Sequence, residues 1–452
     1  MRILVINGSP KGKYSVTLQT VNYLEKLNPQ DEFVTIHAGQ QIRKLEKDFS
    51  SVVAEVEKAD VLLFSYPVYT FIAPYQLHRF VELLKQSGVN LAGKYATQIT
   101  TSKHFYDVTA HRYVQDNCRD MGLKFIRGLS ADMDDLTKKQ GQKEAVSFWD
   151  HFLWSVKNGH YEPIPLEIQP HKPVIATVAD EVEKKDGEVV IVTDMTDEDT
   201  SLKAMVDRFT AVLPFKTKIV NLNQYPFSGG CLGCFNCAVD GKCICKDGFD
   251  DFLRNQVQGG QAIVYAFSIK DHSMGSRFKL YDDRQFCNGH RTVTMGMPMG
   301  YLISGGYKQE FNLQMVIEGR AQVGGNILAG IATDEINPDG EIDMLAANLV
   351  YSLENKNTQP VNFYGVGGMK IFRDLIWLMQ GMMKADHKFY KQHGQYDFPQ
   401  KKPGTMLAMY LVGAMISNPK MKSKMGNKMN EGMLMPYKKV LDDLDKKLKN
   451  SK

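Results

Sequence analysis

Five of the seven cysteines in this 452-residue chain lie between residues 231 and 245. Four of them, Cys231, Cys234, Cys237 and Cys243, have the spacing C-x₂-C-x₂-C-x₅-C, and Cys245 follows as a spectator or substitute ligand. Such thiols could form disulfides, bind zinc or hold an iron–sulfur cluster. A cubic cluster takes four thiolates, whereas zinc sites of four cysteines usually have two C-x₂-C pairs and a longer spacer. The spacing therefore favours a cluster, with zinc or idle thiols as alternatives.

A second stretch that could do chemistry is the loop Asn7–Thr17, which follows a predicted strand and opens a predicted helix. At such a place backbone N–H groups and the helix dipole favour a phosphate. The loop adds hydroxyl and ammonium donors, which are Ser9, Lys11, Ser15 and Thr17. Its spacing matches neither the Walker A loop nor G-x-G-x-x-G, so an ordinary strand-to-helix turn with a Ser/Thr cap is the alternative.

The loop after the third predicted strand brings apolar and aromatic side chains to the same edge of the sheet. Residues of this kind just past a strand end can form a wall for a flat aromatic ring. Together with a phosphate-type first loop, they indicate flavin mononucleotide (FMN), with Lys103 as a further neighbour of the flavin. No catalytic acid or base is predicted. The expected cofactor contacts after the third and fourth strands are Pro67, Val68, Tyr69, Thr70, Thr101 and Ser102.

Short apolar runs alternate with helical patterns twice along the chain, which predicts βαβ units and parallel sheets. The first five predicted strands are Arg2–Asn7, Glu32–His37, Asp60–Tyr66, Tyr95–Thr101 and Leu123–Ser130. The second five are Val189–Asp194, Thr217–Leu222, Gln261–Ser268, Gly300–Gly306 and Asn326–Thr333. We therefore expect an α/β protein with two tandem flavodoxin-like, doubly wound sheets of order 2-1-3-4-5 and a helical C-terminal region.

The expected domains differ in what they bind. The segments are 1–160 for an FMN-binding domain, 161–187 for a linker, 188–336 for the domain with the cysteines and 337–452 for the helical region. In the second domain the first loop carries Asp194, Asp197, Glu198 and Asp199, and like charges there argue against a bound phosphate. We therefore expect FMN in the first domain and the cluster in the second.

The two loops of the first domain resemble those of NAD(P)H-dependent FMN reductases and other flavodoxin-like proteins. In that family the first loop reads roughly G-S-P-R-x-x-x-S-N-T, and Lys11 and Val16 are the departures from it. The P-V-Y of the third-strand loop matches in full. The cysteine spacing resembles that of the iron–sulfur flavoproteins, which carry a 4Fe-4S cluster beside FMN and act as oligomers. The resemblance implies NAD(P)H as electron donor and a homo-oligomer, and it does not extend to the C-terminal region.

These observations predict an FMN-dependent, NAD(P)H-linked oxidoreductase that passes electrons between FMN and a 4Fe-4S cluster. Its acceptor would be a small redox molecule or an electron-transfer protein. One alternative is a simple NAD(P)H:FMN or quinone reductase with zinc-binding or idle cysteines. The other is a non-enzymatic electron carrier that docks a redox partner.

The net charge and the two ends of the chain bear on what the protein binds and where in the cell it acts. The formal net charge of +4 is too small to indicate nucleic-acid binding. The N-terminus lacks a signal-peptide pattern, so we expect the cytoplasm, where thiols stay reduced. The apolar run 406–416 is too short to span a bilayer. Four methionines at helical spacing lie among lysines near the C-terminus: Met421, Met425, Met429 and Met433. This stripe predicts an amphipathic helix, and the alternative is a surface that binds a redox partner or a membrane.

Overall fold

The computed structural model describes residues 1–163, 170–398, 402–417, 434, 438, 440–446 and 448–450. The chain divides into two compact units, Met1–Tyr390 and Lys391–Lys452. The four methionines of the predicted C-terminal stripe lie outside the described residues. In the part of the chain that is described, no helix combines the length and the apolar character needed to cross a membrane.

The first half of the larger unit is built on a parallel sheet of order β2-β1-β3-β4-β5, with β6 beside β4. The strands are β1 (Arg2–Asn7), β2 (Glu32–Ile36), β3 (Val61–Pro67), β4 (Tyr95–Ser102), β5 (Lys124–Phe125) and β6 (Leu129–Asp132). The apolar runs become central strands because helices cover both faces of the sheet. The fifth predicted strand is split into two short pieces, β5 and β6. The helices are α1 (Val16–Leu27), α2 (Ala38–Leu45), α3 (Ser50–Lys58), α4 (Tyr75–Gln86), α5 (Asp107–Asp120) and α6 (Lys139–Asn158).

The second half repeats the arrangement, with a parallel sheet of order β8-β7-β9-β10-β11. Its strands are β7 (Lys185–Thr193), β8 (Phe215–Asn221), β9 (Ala262–Ser268), β10 (Pro298–Ser304) and β11 (Ile327–Thr333). Because each sheet has its first strand between the second and the third, the predicted tandem flavodoxin-like order is confirmed. The helices that follow in the larger unit are α7 (Thr200–Val212), α8 (Asn236–Asp240), α9 (Phe249–Phe252), α10 (Gly275–Arg284), α11 (Phe311–Gly324), α12 (Pro338–Asn355), α13 (Phe363–Leu378) and α14 (Lys384–Gln392), whose last residues reach the smaller unit. The smaller unit contains α15 (Pro403–Ile416).

The two halves pack through equivalent helices. Helix α4 follows the third strand of its sheet and packs against α10, which follows the third strand of the other, and α5 packs likewise against α11. The N–H of Tyr75 at the start of α4 donates to Asp283 of α10 at 2.7 Å. Reciprocally, the N–H of Ser276 at the start of α10 donates to Glu82 of α4 at 2.7 Å. Each carboxylate thus accepts a hydrogen bond from the other helix's free N-terminal N–H.

The same symmetry extends to the turns that precede these helices. Tyr69 and Ile72 exchange two backbone hydrogen bonds, and so do Lys270 and Ser273. Equivalent residues lie 201 positions apart in the chain, as the pairs 69 and 270, 75 and 276, and 82 and 283 show. One hydrophobic cluster, running from the first sheet through these helices to the second, joins the two halves, and each sheet has a separate cluster on its other face.

The strand ends of the second sheet are closed by the chain itself. The buried carboxylate of Asp334 accepts hydrogen bonds from Ser201 at 2.7 Å and Ser304 at 2.6 Å. It also accepts the N–H of Gly305, and Nε2 of His171 lies 2.8 Å away. The polar groups at this edge are therefore already hydrogen-bonded to Asp334, and His171, which lies between α6 and β7, contacts the same carboxylate.

Candidate functional site

A cavity of about 300 Å³ lies at the carboxyl ends of β1, β3 and β4, where the first half meets the second. All of the cofactor contacts predicted from the sequence line it. They are Ser9, Lys11, Ser15, Thr17, Pro67, Val68, Tyr69, Thr70, Thr101 and Ser102. The structure therefore brings residues from three separate loops to one place, as expected for strand ends at one edge of a parallel sheet.

The first loop places buried hydroxyl groups at the start of α1. Ser15 caps the helix, and its Oγ accepts the N–H of Leu18 at 3.4 Å. The hydroxyls of Thr17 and Thr101 lie 2.7 Å apart, which joins the first loop to the end of β4. Ser9 is buried beside them. Such a set of hydroxyls at a helix N-terminus suits an anion, because the first N–H groups of the helix point the same way.

The third-strand loop contains two residues in an unusual backbone conformation. Thr70 and Phe71 have φ values of 45° and 70°, a region that β-branched and aromatic residues avoid. The second half holds them there. Asp283 accepts the hydroxyl of Thr70 at 2.9 Å, and Nζ of the fully buried Lys279 lies 3.2 Å from the carbonyl oxygen of Tyr69. Such strain of roughly 1–3 kcal/mol per residue is typical of functional sites.

Tyr69 connects this loop to the cysteines. Its hydroxyl donates to the carbonyl oxygen of Leu232 at 3.4 Å. Burial raises the pKa of Tyr69 well above its usual value. Gly233 approaches the Tyr69 hydroxyl so closely that a Cβ there would overlap it. The cysteine loop and the loop after β3 are therefore in direct contact within this one chain.

The loop after β4 supplies a fixed positive charge. Nζ of Lys103 lies 2.7 Å from Asp132 and 3.2 Å from Asp134. Both ion pairs raise the pKa of Lys103, against the opposing effect of its desolvation. Phe105, two residues on, stacks on Phe372 of α13 with ring centroids 4.4 Å apart.

The second half lines much of the cavity with residues that the sequence did not point to. They come from the segment after α10, from α11 and from α13, and they include Phe286, His290, Arg291, Arg320 and Phe372. Arg320 forms an ion pair with Asp282 and lies over the ring of Phe71, 5.0 Å from its centroid. The available signal was weak: a polar, turn-rich stretch, 285–296, between a helix and a strand.

The cysteine loop forms the other side of the cavity. Cys231, Gly233 and Phe235 line the large cavity and also a neighbouring one of about 30 Å³. The small cavity is surrounded by sulfur, because it is lined by Cys231, Cys234, Cys237, Cys243, Cys245 and Cys287. The last of these comes from the segment after α10. All seven cysteines of the chain are free thiols.

The thiols differ in their surroundings. Burial raises the pKa of Cys231, Cys237 and Cys287 to about 12 each. A hydrogen bond with Cys245 lowers the pKa of Cys243 to about 6, and the same contact raises that of Cys245. Beneath the loop, Arg284 forms a buried ion pair with Asp247 at 2.7 Å and donates to the carbonyl oxygen of Gly229.

Thiols are the type of metal-binding side chain that lines the small cavity. Among the described residues, no group of three or more His, Cys, Asp or Glu is arranged to hold one metal ion. The ligands of one tetrahedral zinc ion lie about 4 Å apart, whereas cysteines that bind the separate irons of a cluster lie further from one another. Since the sulfur-lined cavity measures only about 30 Å³, the thiols would have to spread to admit a cluster.

Comparisons with known proteins each cover about a third of the chain. Residues 1–151 match a family model described as flavodoxin-like fold. No curated protein matches the chain.

Three solved structures illustrate the likeness. The apo form of the NADH:FMN oxidoreductase EMOB is 22% identical, with 34% of this chain and 89% of that chain covered and a TM-score of 0.31. A putative quinone reductase from Klebsiella pneumoniae is 14% identical over 38% of this chain and 91% of its own, with a TM-score of 0.27. An FMN-dependent NADH-azoreductase from Bacillus anthracis, in complex with FMN, is 12% identical over 33% and 98%, with a TM-score of 0.28.

The sheet order and the family match agree for the first half of the molecule. Its first 151 residues carry a flavodoxin-like fold, and the second sheet has the same strand order.

Proposed function

We propose that this chain is an FMN-dependent, NAD(P)H-linked oxidoreductase in which a 4Fe-4S cluster in the cysteine loop exchanges electrons with FMN. The observation that carries the proposal is the shared cavity. All of the predicted flavin contacts line it together with Cys231, and the Tyr69 hydroxyl lies 3.4 Å from the carbonyl oxygen of Leu232 in the cysteine loop.

In this proposal the first loop holds the phosphate of FMN. The hydroxyls of Ser9, Ser15 and Thr17 and the N-terminal N–H groups of α1 would bind the phosphate, and Lys11 would balance its charge. Val68 and Tyr69 would pack against the flavin ring and exclude water from it. Bound there, FMN would supply two-electron hydride chemistry.

The cluster would be held by Cys231, Cys234, Cys237 and Cys243. Cys245 and Cys287 would lie beside these four, because they line the same small cavity. A cluster would supply one-electron transfer. Reducing conditions, as in the cytosol, belong to the proposal, because its ligands must remain thiols.

The acceptor in this proposal is a small redox molecule or an electron-transfer protein. Association into a homo-oligomer, and contact of the C-terminal region with a membrane surface, are further proposals. Each can be tested separately from the cofactors, by sedimentation and by vesicle binding.

The test is an anaerobic absorption spectrum of the purified protein before and after NADPH is added. We expect flavin bands on a broad iron–sulfur absorption, and we expect both to bleach. Flavin bands without iron would leave a simple flavin reductase and would overturn the cluster. A colourless protein that takes up no added FMN would overturn the whole proposal.

Two neighbouring lysines offer a matched pair of variants for the flavin site. Lys11 lines the cavity, whereas Lys13 is exposed and lies outside its lining. We expect Lys11→Gln to weaken FMN binding about fivefold, since a charge pair near the protein surface contributes roughly 1 kcal/mol. Lys13→Gln should leave the dissociation constant of FMN, measured by flavin fluorescence quenching, near the wild-type value. Equal effects of the two variants would contradict the assigned phosphate site.

A further inference from the structure

His290 lies on the side of the cavity that belongs to the second half, and a buried carboxylate holds its ring. Nδ1 of His290 lies 2.9 Å from Oδ2 of Asp386, and the backbone N–H of His290 donates to the same oxygen at 3.3 Å. Asp386 is fully buried. Because Nδ1 faces the carboxylate, Nε2 lies on the opposite side of the ring. Among the described residues, Nε2 has no hydrogen-bond partner.

The chain around this pair is shaped to keep it in place. Gly289 has a φ of 63°, and a Cβ there would lie 2.5 Å from Oδ1 of Asp386. The hydroxyl of Tyr390 donates to the carbonyl oxygen of His290 at 3.2 Å. Nε of Arg291 lies 3.6 Å from Oδ1 of Asp386. These contacts fix both the carboxylate and the backbone of the histidine.

Aromatic rings enclose the imidazole. The ring centroids of Phe372 and Phe286 lie 4.7 Å and 4.8 Å from that of His290, both edge-on, and Phe235 lies 6.3 Å away. All four rings line the large cavity. An apolar, aromatic surface with one polar nitrogen suits a flat conjugated molecule that presents an oxygen atom.

We propose that His290, positioned by Asp386, transfers a proton to a conjugated carbonyl acceptor, such as a quinone, while that acceptor is reduced in the cavity. The proposal rests on the proposed function, in which NAD(P)H is the reductant. Two electrons and one proton reach the quinone as a hydride equivalent, which leaves a hydroquinone anion. The second proton comes from Nε2–H of the imidazolium: that N–H bond breaks and an O–H bond forms. The neutral ring keeps its Nδ1–H on Asp386 and regains a proton from water.

Two acceptors separate this role from a structural one. Reduction of a quinone requires protons, whereas ferricyanide takes one electron and no proton. In His290→Gln we expect the ratio of the quinone rate to the ferricyanide rate to fall about a hundredfold, within the usual contribution of a general acid. In Asp386→Asn we expect a smaller fall in the same ratio, about tenfold, because the imidazolium loses its counter-charge. His151→Gln, on the exposed side of α6, is the control and should leave both rates unchanged.

A second measurement does not depend on turnover or on a variant that must fold. In ¹⁵N NMR of the wild-type protein, the neutral His290 ring should carry its proton on Nδ1, and its Nε2 signal should shift when a quinone is added. A third measurement uses turnover of the wild-type enzyme: its quinone reaction should slow in D₂O, whereas its ferricyanide reaction should not.

The outcomes distinguish the two proposals. If the wild-type protein binds FMN and reduces both acceptors, but the ratio is unchanged in His290→Gln, the role of His290 is overturned and the proposed function stands. A proton on Nε2 in the neutral ring would also overturn it. If the protein binds no flavin, both proposals fail.

Discussion

Tyr69 is the residue at which the two sides of the cavity meet. It follows β3 at the carboxyl edge of the first sheet, and its hydroxyl contacts the cysteine loop of the other half. The sequence indicated its place beside a cofactor, because P-V-Y matches a known loop. It did not indicate the contact with Leu232, because nothing in either stretch records how the two halves pack. Contacts between residues far apart in the chain, such as Tyr69 and Leu232, depend on long-range packing and cannot be predicted from local sequence.

Gly233 tests this contact at the scale of one residue. Its φ is 60°, and a Cβ would overlap the Tyr69 hydroxyl. We expect Gly233→Ala to lower the free energy of unfolding by about 1 kcal/mol for the backbone, and by a further 1–3 kcal/mol because Tyr69 must move. Urea denaturation gives the change.

The matched control is Gly248→Ala. Gly248 has a similar φ of 74°, but the atom nearest to its Cβ is 3.9 Å away. Gly248→Ala should therefore lower the free energy of unfolding only by the backbone contribution of about 1 kcal/mol. If the free energy of unfolding falls equally in the two variants, Tyr69 does not approach the cysteine loop as closely as described.

At the scale of single elements, strands were more predictable than turns. The strand predictions agree with β1 and lie within a few residues of most others, because continuous apolar runs mark buried parallel strands. The turns after β3 and β9 were not predictable. Thr70–Phe71 and Asp271–His272 all have positive φ, yet neither pair contains the Gly or Asn that usually signals such a turn. Contacts from the opposite half impose the conformation instead.

The first loop of the second half gives an element-level prediction. Burial raises the pKa of Asp194 to about 7, although the charge of Lys270 opposes this. Since the folded-state pKa lies above the unfolded one, stability from this group is complete below about pH 4 and is lost as the pH rises through about 7. At about pH 8 we expect Asp194→Asn to raise the free energy of unfolding by up to ~4 kcal/mol, and at about pH 4 by little.

Thermal or urea unfolding across this pH range measures the effect. Asp197→Asn, an exposed carboxylate of the same loop, is the control and should change stability by less than about 0.5 kcal/mol at every pH. A pH-independent gain in Asp194→Asn would mean that the carboxyl is not desolvated as the structure indicates.

Function was less predictable than fold for a similar reason. Loops after β1, β3 and β4 carry local patterns, so their residues were assigned to the site from the sequence. His290 and Asp386 are 96 positions apart and belong to no local pattern. The half of the cavity that they help to form is therefore a product of tertiary structure alone.

At the scale of the whole molecule, buried charges hold the two halves together. Asp283 is fully buried and accepts the N–H of Tyr75 and the hydroxyl of Thr70 from the first half. Lys279, also fully buried, pairs with Asp283 and Asp282. A buried ion pair of this kind need not stabilise the fold more than a pair of apolar side chains would. Removing one partner, however, leaves the other charge buried without a counter-charge.

We therefore expect Asp283→Asn to lower the free energy of unfolding by about 3–5 kcal/mol. Because the core is continuous, circular dichroism and tryptophan fluorescence should report one shared transition in urea. Asp207→Asn, in the exposed pair with Lys203, should cost less than about 0.5 kcal/mol. Two separate transitions in the wild type would contradict a continuous core.

The reciprocal hydrogen bonds of α4 and α10 have a consequence for how this molecule can vary. In a dimer of identical chains, every substitution appears at both copies of an edge, and the assembly comes apart on dilution. Here the corresponding edges belong to one polypeptide, so each can change alone and neither half is lost at low concentration. The carboxyl edge of the first sheet can keep an open cavity while that of the second sheet is filled by Asp334 and His171. The packing surface between the two halves stays the same.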